Sequence, residues 1–213
     1  MATFQIGRSP DVLVQAQPMG SACCIWRDGL RSYVLSAAHV LGGLAEGSGV
    51  QWIDTAGTLG LGQTIDPSLY FMEGNGGPLD AGLASVSVAG PFSTSFGYPW
   101  ASRIMSWDAI DSVRSVIICG KFGQVFATFE EKVPPGPATM VDGRSNGRLL
   151  RLRYDDVSTI GGDSGAPVIS LPEGMLMGMH IAREANRLFS LAVAAVDIQE
   201  AFRARLPGFE LRP

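Results

Sequence analysis

The chain has 213 residues, of which 46% are hydrophobic and 17% are charged, and its formal net charge at pH 7 is −4. This length and apolar fraction suffice for one large β domain, or for two small ones packed together, with a sizeable core. No run of Lys and Arg residues is present, which argues against nucleic acid and against an anionic membrane surface as partners.

Short apolar segments separated by turn residues recur along the chain. Glycine occurs 27 times and proline 13 times, which suits many short strands joined by tight turns better than long helices. Residues 124–130 (QVFATFE) alternate apolar and polar positions, which is the period of a strand. The predicted strands cover residues 33–40, 49–54, 81–88, 115–120, 124–130, 148–154, 166–170, 175–181 and 190–196.

Many short strands at this spacing predict an all-β fold, either antiparallel barrels or a sandwich. Residues 90–103 are rich in Gly, Pro and Ser and predict a linker between two β halves of similar size. Only the C-terminus predicts a helix, which Asp197 can cap and which Pro207 and Gly208 end. One face of this helix carries Ile198, Ala201, Phe202 and Leu206.

Two features of the chain bear on its location. The N-terminal residues 1–17 lack the basic segment and the apolar segment of a signal peptide. The longest apolar run, residues 188–196, is interrupted by Ser190 and is far shorter than the ~20 residues of a transmembrane helix. We therefore expect a cytoplasmic protein that does not associate with membranes.

The cysteines and histidines are few, and their spacing argues against both disulfides and metal sites. The three cysteines are Cys23, Cys24 and Cys119, and adjacent cysteines rarely bridge each other because a disulfide needs separated Cα atoms. We expect reduced thiols, in line with a cytosolic location. The chain has no C-x-x-C and only two histidines, His39 and His180, so neither a metal ion nor another cofactor is expected.

Three short segments contain the residue types of a nucleophilic serine site. His39 ends the run VLSAAHV, Asp80 opens an apolar strand in PLDAGLASV, and Ser164 lies in GGDSGAPV. Each alone has an ordinary interpretation as a strand-end histidine, a strand-start cap or a glycine-rich turn. Together they indicate catalysis, because a serine hydroxyl needs a base, histidine has a suitable pKa, and the base needs a buried acceptor. The flanking glycines permit a backbone whose amides converge on an oxyanion.

These segments resemble the three motifs of the chymotrypsin-like (trypsin-fold) serine peptidases. LSAAHV is similar to the histidine motif, PLDAGLA to the aspartate motif and GGDSGAPV to the serine motif, and the resemblance extends over residues 18–205. It implies an all-β fold of two packed antiparallel six-stranded barrels with a short C-terminal helix. The implied divisions are a barrel over 1–92 carrying His39 and Asp80, a linker over 93–111, a barrel over 112–196 carrying Ser164, and a helix and tail over 197–213.

The same resemblance implies a role for each site residue. Ser164 would be the nucleophile, His39 the general base and then the general acid, and Asp80 the residue that orients His39. The amides of Gly162 and Ser164 would form the oxyanion hole. The implied activity is a serine endopeptidase that hydrolyses polypeptide substrates through an acyl-enzyme.

The chain departs from the animal members of this family at two positions. Those members are activated when a freed N-terminus pairs with the aspartate before the serine, here Asp163, and this chain has no clear activation motif. We expect Asp163 to have another partner. Val40 stands where those members place a disulfide-bonded cysteine after the histidine, which agrees with reduced thiols and resembles bacterial or viral members.

The sequence around the second histidine predicts which residues form the substrate pocket. His180 lies in GMHIAR, and Thr159 is five residues before Ser164. This pattern is similar to that of glutamyl endopeptidases and of some viral main proteases, and it implies that the pocket residues Thr159, His180, Ala182 and Arg183 bind Glu or Gln before the scissile bond. Ser158 stands where a trypsin-type pocket has an acid, which disfavours cleavage after Lys or Arg.

Several alternatives remain open at this point. His180 could instead be a buried histidine with a satisfied hydrogen bond, and Arg183 could be solvated rather than attract acidic substrates. The chain could also be a catalytically silent binding module with the protease fold, or an esterase that uses the same three residues.

Overall fold

The computed structural model describes residues 5–8, 18–28, 31–41, 49–53, 59–64, 66–86, 101, 103–120, 123–139, 141 and 143–211. Most of these residues lie in antiparallel strands, and the last long element is a helix. The predicted all-β class with a short C-terminal helix is confirmed. Residues 93–100 and 102 of the predicted linker over 93–111 lie outside the described residues, and its last part forms a 3-10 turn at Asp108–Ser112.

Among its described residues, the N-terminal half contains eight strands, a one-turn α-helix and a 3-10 turn at Pro67–Leu69. The strands are β1 (Gln5–Arg8), β2 (Pro18–Asp28), β3 (Arg31–Ser36), β4 (Gly49–Ile53), β5 (Leu59–Thr64), β6 (Glu73–Gly74), β7 (Gly77–Pro78) and β8 (Gly82–Val86), with α1 at Ala38–Leu41 between β3 and β4. Six of them pair in the order β1-β2-β3-β8-β5-β4, and β4 pairs back to β1. The strands β6 and β7 form a separate hairpin just before Asp80.

In the described part of the C-terminal half there are six strands and the final helix, besides short 3-10 turns at Asp108–Ser112 and Pro137–Thr139. The strands are β9 (Ser115–Gly120), β10 (Gly123–Val133), β11 (Leu149–Tyr154), β12 (Pro167–Leu171), β13 (Leu176–Arg183) and β14 (Phe189–Ala194), followed by α2 (Ala195–Arg205). The pairing order β10-β11-β14-β13-β12-β9 closes where β9 pairs with β10. Nearly every residue of β9, β12 and β13 is buried, because the apolar runs that predicted these strands fill the interior.

The structure corrects two details of the sequence prediction. His39 does not end a strand, because β3 stops at Ser36 and His39 lies in α1. The C-terminal helix begins at Ala195, two residues before the predicted cap, and no side chain caps its N-terminus. Asp197 instead lies in the first helical turn, where its buried carboxylate binds Arg148.

Candidate active site

Asp80 holds His39 by two hydrogen bonds. One carboxylate oxygen, Oδ1, accepts from the His39 main-chain N–H at 2.9 Å, and Oδ2 lies 2.6 Å from the ring Nδ1. The Asp80 side chain is 5% exposed and that of His39 is 28% exposed. A carboxylate at Nδ1 favours the tautomer with its proton there, which leaves Nε2 as the basic nitrogen.

Small and apolar residues place His39 in this position. The backbone N–H of Val40 donates to the carbonyl of Ala37 at 3.1 Å, which closes the single turn of α1. The residues around His39 are all buried, namely Ala37, Ala38, Val40 and Leu41. Packing of these side chains against the rest of the protein therefore holds the one-turn helix in place. Asp80 follows the β6–β7 hairpin and precedes β8, which pairs with β3.

Ser164 lies in a tight turn between two glycines of positive φ, with Gly162 at +100° and Gly165 at +94°. A side chain at Gly165 would overlap the carbonyl oxygen of Ser21, so both the backbone shape and the close approach require glycine there. The Gly165 N–H donates to the His180 carbonyl at 2.7 Å, and the His180 N–H donates to the Ala166 carbonyl at 2.8 Å. These bonds attach the turn to β13.

The hydroxyl of Ser164 donates to the carbonyl of Ile181 at 3.1 Å. Among the described residues, which include both side chains, no hydrogen bond joins this hydroxyl to His39. The structure therefore brings His39 and Asp80 into direct contact, but it does not show the bond between base and nucleophile.

Ser21 joins the first sheet to the serine turn. Its N–H donates to the Ser164 carbonyl at 2.7 Å, and its hydroxyl donates to the Gly162 carbonyl at 2.8 Å. Nearby, a side chain at Gly20 would collide with Val40 and approach the Ser164 carbonyl. The strand β2 thus lies between the His39 turn and the Ser164 turn and contacts both. Sequence analysis missed Ser21, because a lone serine among small residues carries no local signal for a partner 141 residues away.

One partner of Asp163 is the backbone of its own turn. Its side chain is buried, and Oδ2 accepts from the Ile160 N–H at 2.7 Å. The Ala166 N–H donates to the Asp163 carbonyl at 2.9 Å. Asp163 therefore braces the segment that leads to Ser164.

Three of the predicted pocket residues cluster beside the serine turn. The Arg183 guanidinium donates to the Thr159 carbonyl at 2.7 Å and lies 3.4 Å from the Ser158 hydroxyl. The hydroxyls of Tyr154 and Thr159 are 2.5 Å apart. Arg183 is thus not simply solvated: its cationic group bridges from the end of β13 to the segment before Ser164. Ala182, which precedes it on β13, is half-buried.

His180 lies deeper than the other pocket residues. It is 2% exposed, and its Nδ1 lies 2.8 Å from the Ser190 hydroxyl. Burial, then repulsion from His39, and then the Arg183 charge lower the pKa of His180 to about 3, although a backbone contact with Leu191 opposes this. The imidazole is therefore neutral at pH 7. This environment matches the alternative that His180 is a buried histidine with a satisfied hydrogen bond.

A cleft of about 880 Å³ continues from Ala182 and Arg183 along the outside of the second sheet. Its floor is apolar and includes Val133, Val141 and Leu191, whereas its edge carries Glu131, Arg151, Glu184 and Asn186. Arg151 pairs with Glu184 at 2.7 Å and with Glu131 at 3.1 Å. A cleft of this size and mixed lining can accept a few residues of an extended polypeptide.

The described residues contain no group of three or more His, Cys, Asp and Glu side chains arranged to hold a metal ion. Within the same part of the chain, no helix has the length and hydropathy to cross a membrane. Cys23 and Cys119 are both buried, and burial raises the pKa of the Cys119 thiol to about 12.

Comparison with solved structures identifies the fold. The protease Rv3671c from Mycobacterium tuberculosis H37Rv, in its active form, superposes with a TM-score of 0.61 at 18% identity, over 100% of this chain and 83% of that chain. An inactive form of a serine-to-alanine mutant of Rv3671c gives 0.62 at 17% identity, over 96% and 88% of the two chains. Protease A of Thermobifida fusca gives 0.61 at 17% identity, over 90% of each chain.

The chain has a chymotrypsin-like fold. The similarity to each of these solved proteases covers most of both compared chains, whereas the sequence identity is only 17–18%. No family model matches the chain, and no curated protein matches its sequence. At this low sequence identity the comparisons establish the fold alone. Any argument about chemistry has to come from the residues of the site.

Proposed function

We propose that the protein is a serine endopeptidase that hydrolyses peptide bonds through an acyl-enzyme, with His39, Asp80 and Ser164 as its catalytic triad. The observation that carries the proposal is the pair of hydrogen bonds that Asp80 accepts from His39, at 2.9 and 2.6 Å. A buried carboxylate that binds both the backbone and the ring of a partly exposed histidine is the arrangement that a general base requires. The protease fold of the structural neighbours supports the same function.

The proposed reaction proceeds in two stages. Ser164 rotates away from the Ile181 carbonyl, and its oxygen attacks the scissile carbonyl while its proton passes to Nε2 of His39. The amides of Gly162 and Ser164 bind the oxyanion, and His39 then protonates the leaving amine, so that the peptide bond breaks and an acyl-serine remains. Water, deprotonated by His39, attacks this ester and releases the acid, and the proton returns to Ser164.

The two sheets correspond, in this proposal, to the two six-stranded barrels of the protease architecture. The N-terminal barrel over 1–92 carries His39 and Asp80, and the C-terminal barrel over 112–196 carries Ser164. The pairing of both sheets into closed rings supports this division, as do the contacts of Ser21 with the serine turn. The remaining segments are the linker over 93–111 and the helix and tail over 197–213.

We propose Glu or Gln as the residue before the scissile bond, held by Arg183, Thr159 and Ala182, with His180 behind them. A neutral His180 has no charge with which to distinguish the two side chains. The Arg183 guanidinium, which lies on the Thr159 carbonyl, favours a carboxylate because a charge-assisted hydrogen bond is stronger than a neutral one. Glu is therefore the better substrate of the two.

The first test is covalent labelling of Ser164. Wild-type protein treated with a fluorophosphonate probe should gain one adduct and should hydrolyse a peptide library, whereas Ser164→Ala should do neither. Ser158→Ala, a neighbouring serine substitution, is the matched control and should keep the label. Well-folded wild-type protein that takes no label would contradict the proposal.

The second test concerns Arg183. Paired peptides that differ only in Glu or Gln before the cut should show a higher kcat/KM for Glu. Arg183→Met should reduce that ratio roughly 10- to 100-fold, because a hydrogen bond between charged groups is lost. Arg153→Met, which removes an arginine on the outer surface of β11, should leave the ratio unchanged. Equal cleavage after Glu, Gln, Phe, Leu and Arg by the wild type would rule out the proposed pocket.

One observation favours a second candidate function. The Ser164 hydroxyl donates to the Ile181 carbonyl rather than to His39, which is the contact expected of a catalytically silent binding module with this fold. The labelling experiment separates the two, because a silent module binds peptide without forming an adduct at Ser164.

A further inference from the structure

Ser21 makes three hydrogen bonds where the first sheet meets the serine turn. Its N–H donates to the Ser164 carbonyl at 2.7 Å, its hydroxyl donates to the Gly162 carbonyl at 2.8 Å, and its carbonyl accepts from the Ser36 hydroxyl at 2.7 Å. Ser21 is completely buried. The residue is therefore fixed from its own sheet through Ser36 while it contacts two carbonyls of the opposite half.

The backbone that Ser21 contacts has unusual freedom of its own. Gly161 and Gly162 lack side chains, Gly162 has a φ of +100°, and a Cβ at Gly161 would meet nothing within 4 Å. The Gly161–Gly162 peptide, which carries the Gly162 N–H, lies between two glycines and has wide backbone freedom. The next peptide, Gly162–Asp163, is held on both sides, because its N–H donates to the Ile160 carbonyl at 3.2 Å and its carbonyl accepts from the Ser21 hydroxyl at 2.8 Å. Rotation of the Gly162–Asp163 peptide would carry its carbonyl oxygen, the negative end of its dipole, away from Ser21 and disturb the backbone beside the Ser164 hydroxyl.

We propose that Ser21 is a positioning residue for the oxyanion-binding amides, because its hydroxyl fixes the Gly162 carbonyl and so prevents rotation of the glycine-rich backbone. This inference rests on the proposed function, in which the amides of Gly162 and Ser164 bind the oxyanion. Donors of this kind contribute only when they are oriented before the charge develops, since reorientation during the reaction would raise the barrier. Ser21 supplies that orientation from the half of the chain that carries His39.

The kinetic test compares Ser21→Ala with Ser170→Ala. Ser170 is also a completely buried serine, and its hydroxyl contacts the Met175 N–H at a distance from the site. In Ser21→Ala, kcat should fall roughly 10- to 100-fold with KM within about two-fold of wild type, because a misoriented donor affects the transition state. The Ki of a peptidyl boronate, whose tetrahedral adduct mimics that state, should rise by the same factor. Ser170→Ala should change none of these values.

A second measurement does not depend on turnover. Amide hydrogen exchange across residues 160–165 should be at least about five-fold faster in Ser21→Ala than in wild type, because loss of one hydrogen bond has an effect of that size. Ser170→Ala should exchange at the wild-type rate over this segment. Ser21→Cys keeps a weaker donor in a slightly larger side chain and should give intermediate values if Ser21→Ala folds poorly.

The outcomes separate this inference from the proposed function. Absence of labelling and hydrolysis in wild type contradicts the proposed function, and hydrogen exchange then decides whether Ser21 restrains the turn. An active wild type with equal kcat in Ser21→Ala and Ser170→Ala overturns the inference while the function stands. Titration of labelled Ser164 counts the folded molecules in each sample. If fewer folded molecules account for the whole loss of activity in Ser21→Ala, the inference is also overturned.

Discussion

At the scale of single residues, the hydroxyl of Ser164 has two alternative partners. In the structure it donates to the Ile181 carbonyl at 3.1 Å, whereas the proposed reaction needs it beside Nε2 of His39. In the proposed reaction, a rotation about the Ser164 Cα–Cβ bond exchanges these partners, and such rotations are fast compared with typical enzyme turnover. The His39–Asp80 pair requires no comparable change, because both of its hydrogen bonds are already formed.

The buried imidazole of His180 makes stability depend on pH. Its pKa in the folded protein is lowered to about 3, mainly by burial, from an ordinary value of 6.5. Below pH 6.5 the unfolded chain therefore binds a proton that the folded chain excludes. The free energy of unfolding should fall as the pH is lowered from 6.5 toward 3, and this group contributes a slope of up to about 1.4 kcal/mol per pH unit.

Denaturant titrations at several pH values test this expectation. His180→Gln should show a smaller slope of unfolding free energy against pH between 6.5 and 4 than the wild type does, whatever its absolute stability. Parallel slopes in the two proteins would show that His180 is not the group responsible.

At the scale of secondary-structure elements, the β6–β7 hairpin is attached to the C-terminal half. The buried carboxylate of Asp197, in the first turn of α2, accepts from Arg148 Nε at 2.8 Å and from the Asn75 side chain at 2.8 Å. The Gly147 N–H also donates to the Pro78 carbonyl at 2.8 Å. Because Asp80 follows this hairpin directly, these bonds fix the segment that presents the carboxylate to His39.

The reliability of the sequence prediction differed between elements for physical reasons. The strands β9, β12 and β13 are buried nearly throughout, so their continuous apolar runs were visible in the sequence. The long strand β2, Pro18–Asp28, was missed because it contains proline, glycine, serine and two cysteines without a clear alternation. Asp197 was predicted as a helix cap, but a distant arginine decides its position, and no local pattern contains that arginine.

The candidate site, like the strands, was predictable only where a short segment of sequence carries the signal. The contexts of His39, Asp80 and Ser164 are local, because glycine, small residues and a carboxylate next to a strand are visible in short segments. The roles of Ser21 and of the bridge from Arg183 to Thr159 depend on partners 141 and 24 residues away. Only the folded chain brings those partners together.

At the scale of the whole molecule, the proposed function depends on how the two halves meet. His39 and Asp80 come from the first sheet region and Ser164 from the second, and Ser21 of β2 bonds directly to the serine turn. The cleft that begins at Ala182 and Arg183 has an apolar floor. In the proposal, a peptide with Glu at Arg183 would place neighbouring residues in this cleft.

The central claim is that His39, bound to Asp80, reaches the oxygen of Ser164 once that side chain rotates. A crystal structure of the protein after reaction with a peptidyl phosphonate tests it most directly. We predict phosphorus bonded to the Ser164 oxygen, a phosphonyl oxygen about 2.7–3.1 Å from the Gly162 and Ser164 amides, and Nε2 of His39 within hydrogen-bond distance of the Ser164 oxygen. A phosphorus atom on another residue, or a His39 ring that remains out of reach of Ser164 in the adduct, would contradict the account.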